Sequence, residues 1–219
     1  MTILPESFHE LTTVFDRWAE ALQQCRDNEN RILFIANEMP GLLSNRPLFK
    51  KILTDIVKGG NYPDIRQATL FSNEFILFIN PRRLFSVRLY IYEPGQFTPV
   101  HDHNSWGVYG CVSKQIEVIR YRRADDETRP DYARLQEIER LILRPGETTS
   151  VLPLNDGIHR AGNPNNQTAL MLSVYGTPIR RLYVNQYDIS QDTVSKRYPP
   201  RLRKKILAAQ ALDSMENLK

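Results

Sequence analysis

Long apolar runs are absent from this 219-residue sequence, and no segment approaches the roughly 18–20 residues that a membrane-spanning helix needs. The N-terminus, MTILPESFHE, also lacks the basic and then apolar pattern of a secretory signal peptide. With only two cysteines, Cys25 and Cys111, the chain cannot be a disulfide-rich secreted scaffold. We therefore expect a cytoplasmic protein with reduced thiols and no membrane partner.

The sequence also lacks internal repeats and low-complexity tracts. Its 41% hydrophobic and 25% charged residues are typical of a folded globular domain. The net charge of +4 is concentrated in KRYPPRLRKK, residues 196–205, and basic clusters attract polyanions. Because no aromatic or glycine-rich RNA-binding signature accompanies this run, we interpret it as a solvated helix start and expect no nucleic-acid partner.

The first 60 residues are predicted to be a helical N-terminal extension that packs on a larger unit. An apolar stripe at three- and four-residue spacing defines the first helix. It comprises Phe8, Leu11, Val14, Phe15, Trp18 and Leu22. A second helix is predicted over 28–38, ended by Pro40 and Gly41, and a third over 47–57, ended by Gly59 and Gly60.

From about residue 68 the pattern changes to short β-rich runs at roughly ten-residue spacing, which favours an antiparallel sandwich or barrel. These runs include ATLFS, EFILFI and YARLQEIERLIL, with an exposed hairpin loop over 124–131. We assign residues 61–190 to this barrel. In residues 191–219 a polar segment leads into a C-terminal helix.

Three of the four histidines lie in two short strings that each follow a Pro-Gly turn. His101 and His103 are two apart in a predicted strand, so both imidazoles leave the sheet on the same face. His159 belongs to the second string, where Gly157 is expected to allow a tight backbone turn before it. Three imidazoles from two strands form a facial ligand set with open coordination positions, so the pattern predicts a reactive metal site.

These strings resemble the two motifs of the cupin superfamily, whose fold is a double-stranded β-helix or jelly-roll barrel. The first motif corresponds to Gly95, His101, His103 and Gly110, and the second to Gly146, Pro153, Gly157, His159 and Asn163. The resemblance implies a mainly β fold with an N-terminal helical cap and a C-terminal helix. Where most cupins carry a glutamate ligand, this chain has Trp106 and Gly107.

The all-histidine set, in P-V-H-D-H and I-H-R strings, resembles the cysteine dioxygenase family of thiol dioxygenases. The resemblance implies that His101, His103 and His159 hold Fe(II), with Zn, Ni or Mn as alternatives. It also implies an oxidoreductase that uses dioxygen and a small thiol to give a sulfinate. Without a carboxylate ligand the metal keeps its full charge, which favours an anionic sulfur ligand.

Carried over by position, the resemblance places Tyr175 near dioxygen and Trp106 at the substrate site. Gly107 falls where animal enzymes carry a cysteine crosslinked to this tyrosine, so no crosslink is expected, and Cys111 is interpreted as a small buried hydrophobe. Ser173 stands where the family has a relay histidine. Asn73 stands where it has an arginine that binds the substrate carboxylate.

A neutral amide cannot replace a bidentate guanidinium, so free cysteine is doubtful as the substrate. Arg88 and Arg160 are candidate replacements for that arginine, and Arg160 is also a candidate catalytic residue; Arg82 and Arg83 lie in a predicted turn. Alternation along 84–92 places Arg88 opposite the apolar face of its strand.

Two other functions remain open. The chain is a zinc-dependent hydrolase or isomerase if its metal activates water, and a non-catalytic metal-binding sensor if its pocket has lost its substrate residues. A monomer and a homodimer are both compatible with the sequence.

Overall fold

The computed structural model describes residues 4–60, 62 and 67–216. The helices are α1 (Glu6–Gln24), α2 (Asn28–Leu43), α3 (Arg46–Val57) and α4 (Pro200–Glu216). The expected domain boundary at residue 61 lies outside the described residues. No helix in the described part of the chain has the length and apolar character needed to cross a membrane.

The end of α2 differs from the prediction, because the helix continues through Pro40 and Gly41 to Leu43. A proline near the end of a helix removes one backbone donor but still accepts, and the Pro40 carbonyl receives a 3.1 Å hydrogen bond from the Ser44 N–H. Leu42 and Leu43 are buried by this last turn. Their burial offsets the hydrogen bond that is lost because Pro40 has no N–H group.

The strands form two antiparallel sheets with sequence-distant neighbours. They are β1 (Glu74–Ile79), β2 (Phe85–Tyr92), β3 (Val100–His103), β4 (Gly107–Ser113), β5 (Ile116–Arg123), β6 (Leu135–Leu143), β7 (Thr148–Val151), β8 (Leu154–Gly162), β9 (Ala169–Gly176), β10 (Val184–Asp188) and β11 (Thr193–Arg197). The strand orders are β1-β2-β9-β4-β7 and β11-β10-β3-β8-β5-β6. With the flanking helices, this confirms the predicted mainly β, double-stranded β-helix fold.

Individual strands were predicted with mixed success. The strand assigned to YARLQEIERLIL is confirmed as β6, and 124–131 lies in the exposed β5–β6 connection. The run ATLFS, residues 68–72, forms no strand. β11 was not predicted: it pairs with β10 and extends the sheet into the polar segment expected before the C-terminal helix.

Two apolar layers result from the alternation of side chains along the strands. Phe15 and Trp18 of α1 pack against Phe85 with ring centroids 6.2 and 6.5 Å away, so the helices cover one face of the five-stranded sheet. The opposite face of that sheet turns inward, where Tyr90 and Met171 belong to a second buried cluster. The interior between the sheets is therefore closed on its helical side, and it contains the histidines.

Candidate metal centre

The three histidines meet because β3 and β8 are adjacent. His101 is the direct register partner of His159, and His103 is the partner of Leu154. The ladder is interrupted between these pairs, so β8 carries extra residues there and brings His159 beside both β3 histidines. The side-chain nitrogen ligands of the three residues all lie within 4.8 Å of one another, and all three side chains are buried.

Gly157 is required by a close approach rather than by the tight turn we expected. It lies within β8, and its φ angle is outside the left-handed region. A Cβ atom at this position would come within 1.9 Å of the Leu152 carbonyl oxygen. Any side chain would push the two segments apart and displace His159, two residues further on.

Backbone carbonyls fix the orientation of two of the imidazoles. His101 Nδ1 lies 2.8 Å from the Pro99 oxygen, and His159 Nδ1 lies 3.1 Å from the Gly157 oxygen. A carbonyl oxygen can only accept, so these contacts favour the tautomer in which each Nδ1 donates and Nε2 keeps its lone pair. Such contacts are a usual means of orienting metal-binding histidines. His159 Nδ1 also lies 3.2 Å from Nε2 of His103.

All three imidazoles are held neutral. Burial lowers the pKa of His101 and lowers that of His103 well below its usual range, and the neighbouring histidines lower the pKa of His103 further. Burial, followed by the charge of His101, lowers the pKa of His159 to about 3. Neutral imidazole is the form that binds metals, so the donor set fits a first-row transition metal ion.

A buried carboxylate on β3 does not belong to this donor set. Asp102 lies between the two β3 histidines, is fully buried, and is bound by both terminal nitrogens of Arg181 at 2.6 and 2.8 Å. The backbone N–H and the side-chain amide of Asn185 donate to the same carboxylate at 2.8 and 2.9 Å. With its oxygens used in this way, Asp102 anchors β3, and the triad remains all-histidine.

A cavity of about 400 Å³ opens onto His101 and His103. Tyr175 stacks on His103 with ring centroids 5.6 Å apart, and its hydroxyl lies 3.4 Å from that of Tyr90. Burial raises the pKa of both tyrosines, so both hydroxyls keep their protons at neutral pH. The cavity therefore offers protonated phenols beside the metal ligands.

Arg88 lies in this cavity, as its strand alternation predicted, but it is paired. Its guanidinium donates to Glu74, whose side chain is fully buried, and it lies 5.3 Å from the centre of the Tyr175 ring. Because β1 and β2 are joined by a short turn, the ion pair between Arg88 and Glu74 could have been predicted from the sequence. Glu74 is the register partner of Tyr90, which places it diagonally from Arg88.

The other proposed residues lie in different places. Ser173 lies on the same face of β9 as Tyr175, and its buried Oγ has no hydrogen-bond partner among the described residues. Asn73, Trp106 and Arg160 are not among the residues that line the cavity. Trp106 belongs to the cluster on the helical side, and Arg160 projects from the face of β8 opposite His159, 5.0 Å from the Phe97 ring centre.

Four charged residues around the site were missed by the sequence reasoning: Glu74, Asp102, Arg181 and Arg197. Asp102 carried a signal, since a carboxylate between two same-face ligands in a buried strand needs a partner. No local pattern indicated Arg181, which is 79 positions away. Cys111 is buried as predicted, and burial raises the pKa of its thiol to about 12.

No protein-family model matches the sequence. Among solved structures, the chain is similar to a cupin 2 conserved barrel domain protein from Salinispora arenicola, with 17% identity over 50% of this chain and 81% of that one, at a TM-score of 0.36. An uncharacterized conserved protein with a double-stranded β-helix domain from Klebsiella pneumoniae gives 14% identity over 60% and 96%, also at 0.36. Oxalate decarboxylase from Lactobacillus farciminis gives 18% over 52% and 31%, again at 0.36. Likenesses this distant say nothing about the reaction.

Proposed function

We propose that this protein is a cysteine dioxygenase-like thiol dioxygenase that uses non-haem Fe(II) to convert a small thiol into a sulfinate. The observation that carries the proposal is the ligand set: three buried, neutral imidazoles, two of which line a cavity, with the neighbouring carboxylate of Asp102 already bound by Arg181. His101, His103 and His159 would hold the metal.

Bound Fe(II) would supply a site for an anionic sulfur ligand and one-electron chemistry toward dioxygen. Because the three ligands are neutral, they leave the dipositive charge uncompensated, and this favours a thiolate over a thiol. The overall change, RS⁻ + O₂ → RSO₂⁻, places both oxygen atoms on sulfur. Sulfur loses four electrons and dioxygen gains four, so no further reductant is needed.

Tyr175 is the protein group best placed to act on the bound reactants. Its ring is fixed by the stack on His103 and its hydroxyl is a hydrogen-bond donor at neutral pH. The half-buried ring also lines the cavity beside the histidines. We assign it the role of donating a hydrogen bond to the reacting oxygen or sulfur atoms.

The test begins with protein purified without a metal-binding tag and analysed for metal content. Iron-loaded protein should consume oxygen with a small thiol and give a sulfinate that carries label from ¹⁸O₂, whereas zinc-loaded protein should be inactive. His159→Ala should lose metal and activity. His9, the fourth histidine, is exposed on α1, so His9→Ala is the matched control and should keep both.

Different results would favour the alternatives. Full activity with zinc, or product oxygen that comes from water, would indicate a hydrolase or isomerase. Stoichiometric metal without turnover of any thiol would indicate a sensor. Stoichiometric iron in His159→Ala would contradict the metal site itself.

A further inference from the structure

A second cavity lies between α3 and the five-stranded sheet, on the face of that sheet opposite the histidines. Its volume is about 560 Å³, against about 400 Å³ for the histidine cavity, and we call it the α3 groove. Apolar residues of the cluster on the helical side form most of its lining: Phe49, Leu53, Ile91, Val112 and Leu170. Leu53 and Ile91 are only half-buried, so the groove leaves apolar surface open to a ligand.

The floor of the α3 groove comes from three neighbouring strands. Ile91 of β2 is the register partner of Leu170 of β9, which pairs in turn with Ser113 of β4. Each of these strands has a partner strand on both sides, so its backbone N–H and C=O groups are largely used within the sheet. An extended peptide on this floor would leave its own backbone groups without partners, whereas an alkyl chain has none to satisfy. The floor therefore favours a hydrocarbon chain.

The rim of the α3 groove is cationic. Arg46 and Lys50 lie one turn apart on α3, and Lys114 lies in the connection between β4 and β5. All three are exposed, and none of the described residues that line the groove is acidic. Within the described part of the chain the three form no ion pair, and Lys114 donates to the amide oxygen of Gln167, which is neutral. An anionic head group at the rim would compensate this charge.

We propose that the α3 groove binds a single-chain amphiphilic carboxylate, such as a free fatty acid. Its alkyl chain lies on the apolar floor, and its carboxylate lies among Arg46, Lys50 and Lys114. The inference does not depend on the proposed function, because the α3 groove and the histidine cavity share no lining residue.

The test is a calorimetric titration of the full-length protein with octanoate, decanoate and dodecanoate, each below its critical micelle concentration. Affinity should rise about 4- to 14-fold for each two added methylenes, the range between half and full burial of the chain. Dodecyltrimethylammonium has a chain of the same length and the opposite charge, so it should bind more weakly than dodecanoate.

Arg46→Glu/Lys50→Glu reverses two charges at the rim and leaves the floor intact. It should weaken dodecanoate binding about 10- to 100-fold and make dodecyltrimethylammonium the tighter ligand. The matched control is Arg26→Glu/Lys58→Glu, which changes the net charge equally at two exposed positions outside the groove. This control should keep the preference for dodecanoate.

Leu53→Gln places an amide beside the floor and should reduce the gain in affinity from each added pair of methylenes. The inference is wrong if none of the three acids binds, or if the wild type binds dodecyltrimethylammonium as tightly as dodecanoate. It is also wrong if the double reversal at the rim leaves dodecanoate binding unchanged, because the acid then binds elsewhere. A wild-type dimer that dissociates in Leu53→Gln would overturn it too, since the groove would then be a subunit interface.

Discussion

Replacing Arg181 with methionine should destabilise the protein far more than the loss of a surface arginine. Arg181 binds the Asp102 carboxylate through two hydrogen bonds and also donates to the His103 carbonyl at 3.2 Å. Its side chain is 13% exposed and that of Asp102 is 0% exposed. Arg181→Met therefore leaves a carboxylate out of contact with water, with only the two donors of Asn185 remaining.

Breaking a buried ion pair from one side costs about 3–5 kcal/mol, because the remaining charge is neither solvated nor paired. In a domain of this size that corresponds to a fall in Tm of about 6–20 °C. The double variant Asp102→Asn/Arg181→Met removes both charges and should be more stable than Arg181→Met. Together with the single variant Asp102→Asn, these measurements complete a double-mutant cycle that gives the coupling between the two residues.

The assay is urea unfolding of the metal-free protein at fixed pH, so that bound metal does not contribute to stability. Arg17→Met is the matched control, since Arg17 pairs with Glu38 while its side chain is 67% exposed, and it should cost less than about 1 kcal/mol. If Arg181→Met costs no more than this control, the pair does not hold β3 in place.

Two further predictions concern Tyr175. Tyr175→Phe removes the hydroxyl but keeps the ring that stacks on His103, so we expect unchanged iron content with a kcat lowered about 10- to 100-fold. An unchanged kcat would show that the hydroxyl takes no part in the reaction. Gly107→Ala would place a Cβ 2.8 Å from Cδ1 of Tyr175 and should cost about 1–3 kcal/mol in urea unfolding. Gly41→Ala, where a Cβ meets nothing within 4 Å, should be neutral or stabilising, and equal costs at both glycines would contradict the packing argument.

The parts of the site that were predictable depend on short-range geometry. His101 and His103 share a face because strand side chains alternate, and the same rule placed Arg88 beside Tyr90 and away from the helices. In both cases the inference needed only that a strand forms. Apolar spacing similarly predicted α1, since a stripe at helical period must be buried against a neighbouring layer.

Other features depended on contacts between distant segments. α2 continues past Pro40 because Leu42 and Leu43 are buried by the barrel, and burial is not a property of the local sequence. β11 is mostly polar and half exposed, so it lacked an apolar pattern, and it exists as a strand because β10 offers it a partner. Gly157 was singled out for a turn, yet the cause is the close approach of the Leu152 carbonyl, five residues earlier in the chain.

The same distinction applies to the arginines that were considered for substrate binding. Because Asn73 stands at the position of the expected arginine, Arg88 and Arg160 were considered as replacements, and strand alternation supported Arg88. The cavity in fact has three arginines, and what separates them is which have a buried carboxylate. That depends on pairings such as Asp102 with Arg181, 79 positions apart, which only the sheet register brings together. In a site like this one, the number of arginines says little about specificity until each has been matched with its carboxylate.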